Sequence, residues 1–347
     1  MNPSELPSIS IILTGHNEES SIRDAIRSVF GQDYEGPVEI ILSDDGSSDG
    51  TFAVMQEMAA QYRGPYRVIL NRNETPLGRG PHIRQAVGLA SHEWILRQDG
   101  DDCSFPWRCR LFAWAVMERP DAVAVVSQMT SVYEEPGIAF EFPAFPAAPR
   151  EMPAVALQAG AFSSSAHYGG SMMIRKSACE WGSSLRMTAS FEDDLMGFHA
   201  WLQGNIYEMP GISLYYYRFA LKNICAVNSA FRFADMRAAA TFEKRELEMK
   251  SQLKKSKEAG LELCGELLEG LAPVFRSREE LLAEMEERRK IIDSIDRQQN
   301  WWSYPFRPGW MGIVYCLPQK LYLFCMVFFF KLRKVKRAVC GARQDLE

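Results

Sequence analysis

The chain has 347 residues, enough for one large domain with appendages or for two domains. Hydrophobic residues make up 47% and charged residues 24%, an ordinary globular balance with material for a sizeable core. With 39 basic against 44 acidic residues and a formal charge of −5, it is a poor general binder of nucleic acid, which requires phosphates neutralised by Lys and Arg.

The eight cysteines are scattered without a Cys-x-x-Cys pair, which argues against a zinc site or disulfide framework and for a reducing compartment. Residues 1–6 lack the basic and apolar regions of a signal peptide.

In chain order, Ser8–Leu13 (SISIIL) is a short β-branched run that predicts a buried strand. Turn residues follow at Thr14–Asn17, and Ile22, Ile26 and Val29 then recur at helical spacing over Ser21–Phe30. Val38–Leu42 predicts a second strand, ending in the Asp- and Gly-rich Ser43–Thr51. Helix over Phe52–Tyr62, strand over Tyr66–Leu70, helix over Ile83–Ala90 and strand over Glu93–Arg97 continue the alternation. Strands and helices alternating at this pace imply βαβ units, hence an α/β fold with a mainly parallel sheet flanked by helices.

The Pro- and Ala-rich Pro136–Pro153 predicts a long loop of the kind that often binds ligands. From about Ala226 to Asn300 charge density rises and strand signals vanish. Leu281, Leu282, Met285, Ile291, Ile292 and Ile295 give one apolar helical face. The expected organisation is a catalytic domain at 1–225, a C-terminal helical appendage at 226–300 and an aromatic, basic tail at 301–347. The tail holds Trp301, Trp302, Tyr304, Trp310 and the apolar Leu321–Phe330, too short to span a bilayer, which takes ~20 residues. A basic cluster from Lys331 to Arg337 follows at once. The combination suits peripheral attachment to an anionic membrane surface; the competing reading is a core helix with a solvated basic end.

Three acidic clusters carry the chemistry. Asp44-Asp45-Gly46-Ser47-Ser48-Asp49-Gly50-Thr51 follows the second strand, where open α/β sheets bind ligands, although a helix-capping turn is the better account of it taken alone. Asp99-Gly100-Asp101-Asp102 follows a later strand. Carboxylates this close repel one another unless a cation joins them, and Mg2+ or Mn2+ with diphosphate oxygens fits that need. Glu192-Asp193-Asp194 precedes a helix expected over Leu195–Leu202. Ser190 and Asp193 have capping-box spacing, and one carboxylate here can also act as a general base. Gly78-Arg79-Gly80-Pro81 can cradle phosphate or form a plain turn. The five histidines show no metal-ligand spacing.

Taken in order, these pieces resemble the family 2 glycosyltransferases, inverting enzymes of GT-A (Rossmann-like) fold. The resemblance runs from about Ser8 to Arg218: Thr14-Gly15-His16-Asn17-Glu18, Glu39 to Thr51, Asp99 to Asp102, Gly170 to Lys176, Glu192-Asp193 and Tyr217-Arg218. It implies that Thr14, His16, Asn17, Glu18, Asp44, Asp45, Arg79 and Asp99 bind the nucleotide-sugar. It further implies that Asp45, with Asp44 beside it, accepts the pyrimidine N3–H. Asp99 and Asp101 form the Mn2+ or Mg2+ site, and Asp193 is the catalytic base. His16 stands where the family more often has Tyr, and His199 where an Arg often follows the Glu-Asp motif.

The implied activity is transfer of a sugar from a nucleotide diphosphate, UDP foremost, to an acceptor hydroxyl with inversion. A saccharide or lipid-linked saccharide acceptor at the cytoplasmic face of the plasma membrane fits the tail, as in surface polysaccharide or glycolipid assembly. Two rival classes remain. A sugar nucleotidyltransferase calls for a Gly-rich basic loop after the first strand, where this chain has Thr14–Glu18. A non-catalytic sugar-nucleotide-binding protein does not need all three acidic clusters, yet all are present.

Overall fold

The computed structural model describes residues 5–133, 140–147, 157–159, 169–180, 192–219, 236–269 and 275–299. The N-terminal half alternates as the sequence implies: β1 (Ile9–Gly15), α1 (Ile22–Phe30), β2 (Val38–Asp44), α2 (Thr51–Gln61), β3 (Arg67–Arg72), α3 (Arg79–Leu89) and β4 (Trp94–Asp99). Next come β5 (Cys103–Ser104), α4 (Arg108–Glu118), β6 (Ala122–Tyr133), β7 (Gln158–Ala159), β8 (Met172–Arg175), α5 (Lys176–Glu180), α6 (Glu192–Gln203) and β9 (Asn205–Phe219). Two long helices follow, α7 (Met236–Leu268) and α8 (Arg278–Gln299).

Every residue of β1 and β2 is buried, because helices cover both faces of the sheet. The two-residue period sorts their side chains. Ile9, Ile11, Leu13, Ile40, Leu42 and Leu96 join α1, α2 and α4 in one core. Ile12, Ile41 and Ile95 face the other way, against Ile83 and Val87 of α3 and Met196 and Ala200 of α6.

The described strands form one sheet in the order β3-β2-β1-β4-β8-β6-β9-β5, with β7 pairing β9. The first four are parallel; β8 runs antiparallel to β4 and β6, while β9 is parallel to β6. Because β1 lies between β2 and β4, successive crossovers leave it in opposite directions. A crevice opens there beyond the carboxyl ends of the strands, the ligand position of open α/β sheets. In register, Gly15 lies beside Asp44 and Thr14 beside Asp99, so the first two acidic clusters meet at that edge.

Two elements begin earlier than their apolar periodicity implies. α3 starts at Arg79, so Gly78-Arg79-Gly80-Pro81 is its opening turn, with Gly78 at φ 84° as the N-cap. Proline is tolerated within the first helical turn, where backbone N–H groups lack intrahelical partners. α6 starts at Glu192, which places all three acidic residues in its first turn, near the positive end of the helix dipole. The strands β6 and β9 carried no sequence expectation. The register between them slips where Ser127 pairs Met209 and Gln128 pairs Ser213, so Pro210, Gly211 and Ile212 bulge out, with Gly211 at φ 78°.

One compact unit holds residues 1–221 and 252–290. Within it Phe198 and Leu202 of α6 pack with Leu263, Cys264, Leu267, Leu281 and Met285 of α7 and α8. A second unit comprises 222–251 and 291–347; the described part of it is helical, at 236–251 and 291–299. The tail at 301–347 and most of the expected 136–153 loop lie outside the described residues. Among the described residues, no helix is long and apolar enough to cross a membrane.

Candidate active site

The turn after β1 is laced to the turn after β2. Ser47 Oγ accepts from the Asn17 amide N–H at 2.9 Å, and Asn17 Oδ1 accepts from the Ser48 N–H at 2.9 Å. Thr51 Oγ1 accepts from the Glu18 N–H at 2.7 Å. Asn17 has φ 57°, a left-handed conformation that Asn tolerates better than most residues. His16 is exposed, and its Nδ1 lies 2.8 Å from the Asp45 carbonyl oxygen. A carbonyl only accepts, so Nδ1 carries the proton and Nε2 faces the Asn17 amide at 3.1 Å.

Asp45 is buried, and its carboxylate accepts from Asn73 Nδ2 at 2.8 Å and from the Leu77 and Gly78 N–H groups, each at 2.9 Å. Burial pushes its pKa up, but these hydrogen bonds outweigh burial and hold it below the usual range. The expected acceptor of a pyrimidine N3–H is thus engaged in fastening the segment 73–78. Asp44, fully buried, accepts from the Ser47 N–H at 3.1 Å and pairs with Arg72 at 3.4 Å, while its Oδ1 has no hydrogen-bond partner among the described residues.

A four-membered ion network joins the second cluster to the third. Arg97, on β4 and 1% exposed, donates to Asp99 Oδ1 at 2.8 Å and to Glu192 Oε1 at 2.9 Å. Arg79, 43% exposed, donates to Asp99 Oδ2 at 3.0 Å and to the same Glu192 oxygen at 2.8 Å. Burial raises the pKa of Asp99, and the two guanidiniums more than reverse that. Close approach of backbone makes the network possible: a Cβ on Gly169 would lie 2.0 Å from Arg97 Nη1.

The carboxylates at 99–102 divide by burial. Asp102, 1% exposed, accepts from Tyr215 Oη at 2.8 Å and from the Arg218 N–H at 2.7 Å, so it ties the turn to β9. Burial and the neighbouring Asp101 and Asp99 push its pKa well up. Asp99 and Asp101 keep partial exposure. Hard carboxylate oxygens at a crevice edge suit Mn2+ or Mg2+, which fill the rest of their shell with water and phosphate oxygens. The pair fits such an ion only when a ligand supplies further oxygens: among the described residues, no group of three or more His, Cys, Asp or Glu is disposed to hold a metal.

Asp193 sits between the two anchored neighbours of the α6 first turn. Its Oδ1 accepts from the Asp194 N–H at 3.0 Å and its Oδ2 from the Gly169 N–H at 3.4 Å. Burial, then the Glu192 charge, pushes its pKa up to about 7, with Arg79 and Arg97 pulling the other way. A carboxyl titrating near neutrality is matched to general-base work. Ser190, its expected capping partner, lies outside the described residues.

Arg97, Glu192, Arg108 and Tyr215 were not singled out by role from the sequence. Arg108 is buried under the site, donating to Ser104 Oγ at 2.7 Å and to the Arg97 and Gly170 carbonyl oxygens at 2.8 and 2.5 Å. The available signal was a charged residue directly after the apolar run Trp94-Ile95-Leu96, Arg97 in EWILRQD. His199, buried in α6, has its pKa pushed down to about 4 by burial and by Arg288.

The profile of Glycosyl transferase family 2 matches residues 10–180. EpsE of Bacillus subtilis (strain 168), provisionally named a glycosyltransferase, is 33% identical over 132 residues, covering 38% of this chain and 46% of that protein. A GalNAc(5)-diNAcBac-PP-undecaprenol beta-1,3-glucosyltransferase of Campylobacter jejuni is 34% identical over 99 residues, covering 28% of this chain and 30% of that protein. The chain thus spans less than half the length of these curated relatives. Among solved structures, S. aureus TarS 1–349 in complex with UDP-GlcNAc superposes with a TM-score of 0.58 at 16% identity. The match covers 89% of this chain and 78% of that one, and it shows a shared GT-A fold. The match to glycosyl transferase family 2 spans just under half of the chain, with the Asp44–Asp45 and Asp99–Asp102 clusters inside the matched span and Glu192-Asp193 beyond it.

Proposed function

We propose that the chain transfers a sugar from a UDP-linked donor to an acceptor hydroxyl with inversion at the anomeric carbon. The observation that carries this is Asp193: a carboxyl poised near pH 7, one residue from Glu192, which Arg97 and Arg79 tie to Asp99. Base and diphosphate-binding carboxylates thereby belong to one site. TarS, which shares the fold, was crystallised with UDP-GlcNAc and with UDP. The Campylobacter relative acts on an undecaprenol-linked saccharide, so a lipid-linked or surface saccharide is the acceptor class we favour.

In this reading Thr14, His16, Asn17, Glu18 and Asp44–Asp45 frame the nucleoside. Arg79 and the opening turn of α3 face the diphosphate. Mn2+ or Mg2+ held by Asp99 and Asp101 with phosphate oxygens would neutralise charge on the leaving diphosphate. Asp193 accepts the acceptor hydroxyl proton as the oxygen attacks the anomeric carbon from the face opposite the diphosphate. Glu192 and Arg97 hold that carboxylate in place. The basic 301–347 tail brings the enzyme to an anionic inner leaflet, where each Lys or Arg contributes ~1 kcal/mol.

The test needs no known acceptor, because water can replace it slowly. UDP release is measured from UDP-glucose, UDP-galactose and UDP-GlcNAc with Mn2+ and with EDTA, and the released sugar is followed by early-time proton NMR. The expected result is metal-dependent release of the β anomer from an α-linked donor. Release of the α anomer sinks inversion, and no release or UDP binding with any of the three donors sinks the UDP-sugar assignment.

A further inference from the structure

The third acidic residue of the α6 first turn has a job separate from the other two. Asp194 is 17% exposed and accepts from Ser256 Oγ at 2.6 Å and from Lys257 Nζ at 2.7 Å, both on α7. Arg288 of α8 adds a longer contact at 3.9 Å and is itself held by Glu284 at 2.8 Å. These groups are almost wholly removed from water: Ser256 is 0% exposed, the Lys257 side chain 12% and the Arg288 side chain 1%. Room for Arg288 depends on Gly260, where a Cβ would lie 2.1 Å from Nη1.

Buried charges are an expensive way to join helices, because desolvation consumes most of the Coulombic gain. Holding α6 against α7 and α8 does not require them, since Phe198 and Leu202 already bury apolar surface there. Asp194, Phe198 and Leu202 recur at four-residue spacing, one stripe of the helix. Glu192, Met196 and Ala200 form a second stripe that faces the sheet. The ion pairs between α6 and the appended helices lie at its first turn, beside Asp193. Thus Glu192 is fixed to β4 and Asp194 to α7, while Asp193 lies between them. The Asp194 N–H donates directly to Asp193 Oδ1 at 3.0 Å, so whatever fixes residue 194 fixes that carboxylate.

We propose that the appended helices position the general base: Ser256 and Lys257 grip Asp194 and thereby hold the α6 turn that presents Asp193. This rests on Asp193 acting as the base. Lys257 and Asp194 are positioning residues, and the 252–290 helices are part of the catalytic apparatus rather than an independent module.

The full chain is compared with its Lys257→Met, Lys257→Arg and Asp194→Asn variants. Kinetics use the UDP-sugar that the wild type hydrolyses; UDP affinity with Mn2+ is read by calorimetry, and hydrogen exchange is followed over residues 192–197. Lys257→Met and Asp194→Asn should lower kcat about tenfold or more, the scale expected when a reacting group is misplaced by a fraction of an ångström. KM for the donor and the Kd for UDP should stay within about twofold, and exchange at 192–197 should rise. Lys257→Arg should restore most of kcat. If Lys257→Met does not fold, Asp194→Asn, which keeps the volume, decides. Unchanged kcat and exchange, or loss of UDP affinity in step with kcat, overturns the proposal. A wild type that neither hydrolyses nor binds any of the three donors refutes the UDP-sugar reading instead, and the exchange comparison still tests the clamp.

Discussion

Asp193→Asn should move rate and stability in opposite directions. The Asp193 pKa is pushed from the usual 3.8 to about 7, first by burial and then by Glu192. The folded chain therefore holds this proton roughly a thousandfold more tightly than the unfolded chain, worth at most about 4 kcal/mol. A raised carboxyl pKa means that the folded state binds more protons between pH 3.8 and about 7, so stability contributed by this group falls as pH rises through that window. Asn is neutral throughout and escapes the loss. It gives up a charge near the α6 N-terminus, worth roughly 0.3–1 kcal/mol. The variant should then be more stable than wild type at pH 8 by about 1–3 kcal/mol, with the advantage gone near pH 4. For a unit of this size that is a melting shift of roughly 2–10 °C, readable by scanning fluorimetry across pH. UDP release or transfer should fall about a hundredfold or more, because an amide cannot take the proton. The wild-type kcat should rise with pH toward a plateau above pH 7. A variant less stable than wild type at pH 8, or a gap that does not change with pH, refutes the buried-carboxyl argument. Near-normal transfer refutes the base.

Three further outcomes follow from the same contacts. Arg97→Met leaves Glu192, fully buried, with only the half-exposed Arg79, and should cost about 3–5 kcal/mol in denaturant unfolding; a loss under ~1 kcal/mol would show that the pair is dispensable. Gly170→Ala brings a Cβ to 2.4 Å from the Tyr215 ring, whose hydroxyl holds Asp102, so stability should fall by about 1–3 kcal/mol; an unshifted melting curve would mean that the ring moves freely. Arg79→Ala should strengthen Mn2+ binding to the chain alone while weakening UDP binding by a comparable factor, both read by calorimetry; equal losses in both would refute the exchange of partners argued below.

The legible parts of the sequence were those with a single structural solution. β1, β2 and β4 are rich in apolar residues and buried on both faces, and a parallel strand between two helical layers is what such runs become. The clusters after β2 and β4 could be placed at one edge because parallel strands end together. The divisions within each cluster were not legible. Asp102 and Asp101 are adjacent and chemically identical, and only the arrival of Tyr215 and Arg218 on β9 commits Asp102 to the core. β9 itself escaped notice because Pro210 and Gly211 interrupt its alternation, a bulge that sequence pattern reads as a turn. Likewise Glu192, Asp193 and Asp194 read as one acidic cap. Their separation into a buried ion pair, a near-neutral acid and an interhelical contact depends on Arg97 and Lys257, which lie 95 and 63 residues away in the chain.

The ion network also bears on the order in which charge enters the site. Asp99 already has two cationic partners, so a divalent ion must compete for its oxygens rather than find them free. The two arginines do not yield equally. Arg97 is 1% exposed, and moving it strands Glu192 as well, whereas Arg79 is 43% exposed and can turn into water at small cost. A cation taking Asp99 Oδ2 would therefore displace Arg79, not Arg97. Alone, that exchange sets a released guanidinium beside a divalent charge, which is repulsive. With a diphosphate present, the same guanidinium gains phosphate oxygens and the ion gains ligands that the protein does not supply. Metal and nucleotide should accordingly strengthen each other's binding, by the same factor in either order of addition. Arg97, staying in place, would keep Glu192 and hence the turn of the proposed base in register while Arg79 changed partners.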